Sequence, residues 1–129
     1  MPGSEFLQSF RTSCSHALRG LGFALRSQRH LRLHMLAAVG VIAAGLLLHF
    51  HRVEWILLLL TGTLVILAEL LNTAMEFALN LVEARDHPVV RAAKDIAAGA
   101  VLLVAFVSAV IGLFLFGPRL LAWVSSWRG

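Results

Sequence analysis

Residues 55–82 read WILLLLTGTLVILAELLNTAMEFALNLV, and the fold turns on how they are parsed. Trp55 to Ala68 contains no Lys, Arg, Asp or Glu, but its 14 residues fall short of the roughly 20 that a helix needs to cross the hydrocarbon of a bilayer. The apolar pattern continues past Glu69 through Leu70, Leu71, Ala74, Met75, Phe77, Ala78, Leu79 and Leu81. No Gly or Pro intervenes between Thr63 and Val82. One long helix with embedded polar residues accounts for both facts.

Those polar residues share a face. Glu69, Asn72, Glu76 and Asn80 lie at offsets 0, 3, 7 and 11, which at about 100° per residue confines them to a wedge of roughly 80°. Insertion scales put a charged side chain at the centre of a span at about 2.5 kcal/mol or more, so a stripe of this kind normally looks into a bundle or cavity. Carboxylates and carboxamides together offer oxygen ligands for a hard divalent cation, and a base. For Glu76 and Asn80 a plainer reading stands beside this one, a helix end emerging into water. Glu69, the deepest, fits it least.

Outward from this helix, two further runs lack Lys, Arg, Asp and Glu, Leu33 to His51 and Ile96 to Pro118, and both are long enough to span. A 59% hydrophobic content, 14% charged residues and a mean hydropathy of +0.83 set the 129 residues apart from soluble globular domains. The first run begins too far from the N-terminus for a cleaved secretory signal, so it is read as a retained span. Arg11, Arg19, Arg26, Arg29 and Arg32 precede it, and Arg85, Arg91 and Lys94 lie between the second and third spans. Only Arg52, Arg119 and Arg128 fall on the other side. The positive-inside rule then places the N-terminus and the 83–91 loop in the cytoplasm. The net charge of +4 reflects topology and anionic headgroups, and no nucleic-acid partner is expected.

The expected architecture is an all-α membrane protein. A surface helix at 5–29 leads to spans at 32–50, 53–82 and 92–117, with a tail at 118–129. Between Phe6 and Leu25, apolar residues at 6, 10, 14, 17, 18, 21 and 25 form a helical stripe while Arg11, Arg19 and Arg26 occupy other faces. Gly20 and Gly22 mark a bend or a close approach to a neighbouring helix. Trp123 and Trp127 suit the far headgroup region. Cys14, the lone cysteine, has no partner for an intrachain disulfide. Of the six histidines, His30 and His34 fall at the near interface and His49 and His51 at the far one. None has a second metal ligand at suitable spacing, and they read as interfacial polar residues.

Lys94-Asp95 opens the third span, followed by the small residues Ala97, Ala98, Gly99 and Ala100, which let helices approach closely. Lys94 is either a positive-inside anchor or a point charge for a triphosphate. Neither a GxxxxGK[ST] loop nor a protein-kinase glycine loop is present, so nucleotide chemistry would need another scaffold.

Ala17-Leu18-Arg19-Gly20-Leu21, Glu69-Leu70-Leu71-Asn72-Thr73-Ala74-Met75-Glu76, His87-Pro88 and Ala93-Lys94-Asp95-Ile96-Ala97-Ala98-Gly99-Ala100-Val101-Leu102 resemble the prokaryotic diacylglycerol kinase and undecaprenol kinase family, over about residues 9–117. The resemblance implies a homotrimer in the bacterial cytoplasmic (inner) membrane, with shared active sites near the cytoplasmic interface. It also implies transfer of the γ-phosphate of MgATP to a lipid hydroxyl. Carried over by position, Glu69 is the catalytic base, and Glu76 and Gln28 occupy metal-binding positions. Asn72, His87, Lys94 and Asp95 belong to the nucleotide site. Three positions depart from the family pattern: Gln28 and Asn80 stand where the family usually has acids, and Arg85-Asp86 stands where it usually has Glu-Tyr. A weakened metal site, a non-catalytic relative, or a proton or cation relay through Glu69 and Glu76 are the alternatives these departures raise.

Overall fold

The computed structural model describes residues 2–81 and 87–127, which form α1 (Pro2–Ser27), α2 (Arg29–Leu47), α3 (Arg52–Asn80) and α4 (Pro88–Ser126). No strand occurs among the described residues. As expected, α2, α3 and α4 are long and apolar enough to cross a membrane, and α1 is an additional N-terminal helix. At 1.5 Å per residue the 29 residues of α3 run about 43 Å and the 39 of α4 about 58 Å, so both outreach a hydrocarbon slab of about 30 Å.

The chain turns from α1 into α2 at one residue. Gln28 is extended, with φ −109° and ψ 116°, which ends α1 at Ser27 and starts α2 at Arg29. Ala24 and Leu31 are buried on either side of this joint, and Phe23 packs on Phe77 of α3 with ring centroids 5.5 Å apart. α1 runs unbroken through Gly20 and Gly22, and a Cβ at either would meet nothing within 4 Å, so no close approach to another helix occurs at these glycines within the chain.

The turn from α2 to α3 is specified more tightly. The Phe50 N–H donates to the Gly45 carbonyl at 3.1 Å and the His49 N–H to that of Leu46 at 3.2 Å, the paired bonds of a Schellman motif. His49 takes the left-handed conformation this motif requires, with φ 52°. Its terminal aromatic, Phe50, folds back onto Gly45 together with Trp55. A Cβ on Gly45 would lie 3.1 Å from the Trp55 ring and 3.4 Å from that of Phe50.

α3 is central, with α4 packed along it and α2 against it. Leu58, Thr61, Val65, Glu69 and Thr73 form its buried seam, spaced three or four residues apart. Around the seam's N-terminal end Phe50, Leu58 and Leu115 make a small core with Val41, Trp55, Ile111 and Phe116. Arg119 closes it. Its guanidinium grips Glu54 in a fork, 2.5 Å and 2.7 Å, while lying 4.8 Å over the Phe50 ring. Glu54 also accepts from the His51 N–H at 2.7 Å, capping α3. Pro118 does not end α4, which runs to Ser126 and extends past the expected span limit of 117.

Most large apolar side chains, among them Ile96, Leu102, Phe106 and Phe114 on α4, point outward. Such continuous apolar faces match lipid or neighbouring protein.

Gly45→Ala is expected to lower stability in detergent micelles by about 1–3 kcal/mol, the usual cost of overpacking. Gly20→Ala, which meets nothing, should be neutral or stabilising by up to about 1 kcal/mol. Reversible unfolding of the two variants in parallel checks the contrast.

A candidate active site on the polar face of α3

Where the buried seam of α3 leaves the apolar core it becomes polar. Glu69 is 7% exposed, and its Oε1 lies 3.1 Å from Nε2 of His34 on α2. A carboxylate in such surroundings requires a partner, because an unpaired buried charge is among the costliest features a bundle can hold. His34 was not among the expected site residues. The sequence signal was faint, one imidazole at the edge of an apolar run, and only the helix pairing shows what it meets.

One turn along, the Asn72 amide donates to Glu76 at 3.3 Å, a pair set by their i, i+4 spacing. The Asn72 carbonyl oxygen is buried and has no hydrogen-bond partner. Such an orphan costs on the order of 1–3 kcal/mol and suits a donor or cation brought by a ligand. At the end of α3, Lys94 on α4 donates to the Asn80 side-chain oxygen at 2.8 Å. This bond ties α4 to the polar stripe and holds the ammonium near it.

The structure thus joins Glu69 to His34, Asn72 to Glu76 and Asn80 to Lys94. The remaining expected residues make no side-chain hydrogen bond to these pairs. Gln28 occupies the joint between α1 and α2, and its side chain does not cap α2. His87 caps α4, its Nδ1 accepting from the Val89 N–H at 3.2 Å ahead of Pro88 in the first turn. Asp95 is exposed beside Lys94. Arg85 and Asp86 lie outside the described residues. Among the described residues, no three His, Cys, Asp or Glu side chains are grouped to chelate a metal.

On the other side of His34, an apolar cavity of about 370 Å³ extends between α2, α3 and α4, lined by residues such as Val41, Leu58, Val65, Ile66 and Ile111. His34 is its lining residue nearest the start of α2, and Val65 and Ile66 lie one turn from Glu69. An apolar groove therefore reaches the His34 imidazole from within the membrane-spanning region, with Glu69 behind it, while Lys94, Asn80 and Glu76 lie towards the opposite end of the stripe.

Comparison with known proteins identifies the chain's relatives. The chain is 43% identical over 115 residues to an undecaprenol kinase of Bacillus subtilis, covering 88% of this chain and 93% of that protein. It is 41% identical over 119 residues to a diacylglycerol kinase of Synechocystis, covering 92% of this chain and 66% of that longer protein. The family model described as prokaryotic diacylglycerol kinase matches residues 15–116, taking in α2, α3 and α4 as far as Phe116. The chain belongs to the prokaryotic diacylglycerol kinase family, and with it to the membrane-embedded kinases.

Proposed function

We propose that this protein moves the γ-phosphate of MgATP to the hydroxyl of a membrane lipid, undecaprenol or diacylglycerol, at the cytoplasmic face of the bacterial inner membrane. The observation that carries this reading is the buried Glu69 carboxylate, at the deep end of a polar stripe and paired with His34, which lines an apolar groove. A lipid alcohol can lie with its chains in the groove and its hydroxyl at the stripe, where the nucleotide arrives from water. The names of both relatives agree with a lipid acceptor.

Phosphoryl transfer depends mainly on positioning and charge neutralisation, and the stripe supplies groups for both. Glu69 is the base, by its correspondence to the family motif. Lys94 neutralises phosphate charge, with Asp95 beside it supporting the site and His87 at the start of α4 facing the nucleotide's side of the protein. Glu76 and Gln28 are the residues that would hold Mg²⁺, which neutralises the transferred phosphoryl group when bound. The donor set fits this ion: Mg²⁺ typically takes one or two carboxylates and completes its shell with phosphates and water, and the orphan oxygen of Asn72 lies beside Glu76. The outward apolar faces of α4 suit packing of copies into a homotrimer with shared sites, and the N-terminus lies in the cytoplasm, where the arginines of α1 meet anionic headgroups.

Purified protein in mixed micelles with labelled MgATP should transfer label to undecaprenol or diacylglycerol. Absence of lipid phosphorylation with every divalent metal tried contradicts the proposal. Lys94→Ala should raise the KM for ATP about 10-fold or more, the usual value of a charge-assisted phosphate contact. Gln28→Glu should lower the Mg²⁺ concentration giving half-maximal rate, because a carboxylate adds charge where the amide has none.

A further inference from the structure

Gly62 on α3 and Gly112 on α4 both line the apolar groove, and a Cβ added to either would meet nothing within 4 Å. The antiparallel pairing of these helices brings the two to nearly one level. Gly62 lies four residues on from Leu58 and Gly112 three residues back from Leu115, and those leucines share one core. Gly45, by contrast, is covered by the rings of Phe50 and Trp55. The space at Gly62 and Gly112 is therefore not used to pack the protomer against itself.

The groove runs from His34, paired with Glu69, down to Leu58 and Leu115, where the core with Phe50, Trp55 and Phe116 closes it. Glu69 to Leu58 is eleven residues of α3, about 16 Å of helix. Over that length a volume of about 370 Å³ makes a narrow slot, near the lower end of the roughly 300–1,000 Å³ of ligand pockets. Its wall is predominantly apolar. Thr61, buried in it, has its hydroxyl committed to the Leu57 and Leu58 carbonyls at 2.8 Å and 3.1 Å.

Resting on the kinase reading, we infer that the groove admits one hydrocarbon chain, that the acceptor is therefore a single-chain polyprenol, and that Gly62 and Gly112 set the width this chain needs. Lipid is as apolar as the groove, so selection here comes from fit and not from transfer out of water. A polyprenol carries its hydroxyl at the end of one chain, and each isoprene unit adds a methyl branch that needs local width. With the hydroxyl at the polar stripe, the first units lie along the slot and the remainder leaves by its open side into the bilayer. A diacylglycerol divides into two chains next to its hydroxyl. Its second chain must stay at the mouth, where α2 and α3 are joined by the His34–Glu69 pair. A helix of a second copy, about 10–12 Å across with its side chains, could lie over such a slot but not in it.

The test measures kcat/KM for undecaprenol and for dioleoylglycerol with the full chain in mixed micelles and MgATP. It compares wild type with Gly62→Leu and Gly112→Leu, which extend side chains into the slot. Wild type should favour undecaprenol by about 10-fold or more, and each variant should lose about 10-fold or more of kcat/KM for undecaprenol, the scale on which misfit in an apolar pocket is felt. KM for ATP should stay within about 2-fold, and the size of the assembly should not change. A wild-type preference for undecaprenol below about 10-fold, which needs no variant to measure, overturns the inference and leaves the kinase reading standing. So does an undecaprenol rate that survives both substitutions, or a variant whose assembly changes size, which would mark the slot as a contact between copies. A wild type that phosphorylates neither lipid overturns the kinase reading itself.

Discussion

A carboxylate held among membrane-spanning helices must be neutral, paired or in contact with water, and this constraint on Glu69 organises the rest of the protein. Its partner, His34, comes from a different helix, so α2 and α3 must pack in one register for the pair to form. That register is set at the opposite end of the two helices. There the Schellman turn through His49 fixes their connection, and Gly45 lets Phe50 and Trp55 close over it. The Glu54–Arg119 fork and the Phe50 ring then bind α4 to the same point. One end of the bundle is fastened by a fork and aromatic packing. The other end is left with polar side chains in pairs and one orphan oxygen, ready for a ligand.

This division explains how much the sequence revealed. The three spans followed from hydrophobic runs alone, because lipid leaves few alternatives to helices. The polar stripe of α3 followed from its spacing, since residues three and four apart share a face whatever packs against it. What pairs with that stripe was beyond sequence periodicity. His34 looked like one of several interfacial histidines, and only the crossing of α2 over α3 distinguishes it from His30 four residues earlier, which is exposed. Gly45 was equally silent, since a small residue in a span carries no mark of the two rings that cover it. The last uncharged run stopped at Pro118, ahead of Arg119, and gave no sign that α4 continues helical to Ser126.

The two amides at positions where the family usually has acids acquire distinct roles. Asn80 accepts from Lys94, so the lysine is held without a full ion pair and its charge remains available to phosphate. Gln28 sits in the single extended residue that joins the surface helix to the first span, where its reach depends on how α1 lies on the membrane. Fewer carboxylates also reduce repulsion towards a triphosphate.

The central claim is that the buried carboxylate of α3 serves the reaction as well as the fold. The direct measurement is single-turnover transfer of label from MgATP to lipid in nanodiscs, comparing wild type with Glu69→Gln. The amide keeps the size of the side chain and a hydrogen bond to His34 but removes the charge. A fall in rate of about 100-fold or more, with unfolding behaviour preserved, is the predicted result. Transfer at the wild-type rate would contradict the account.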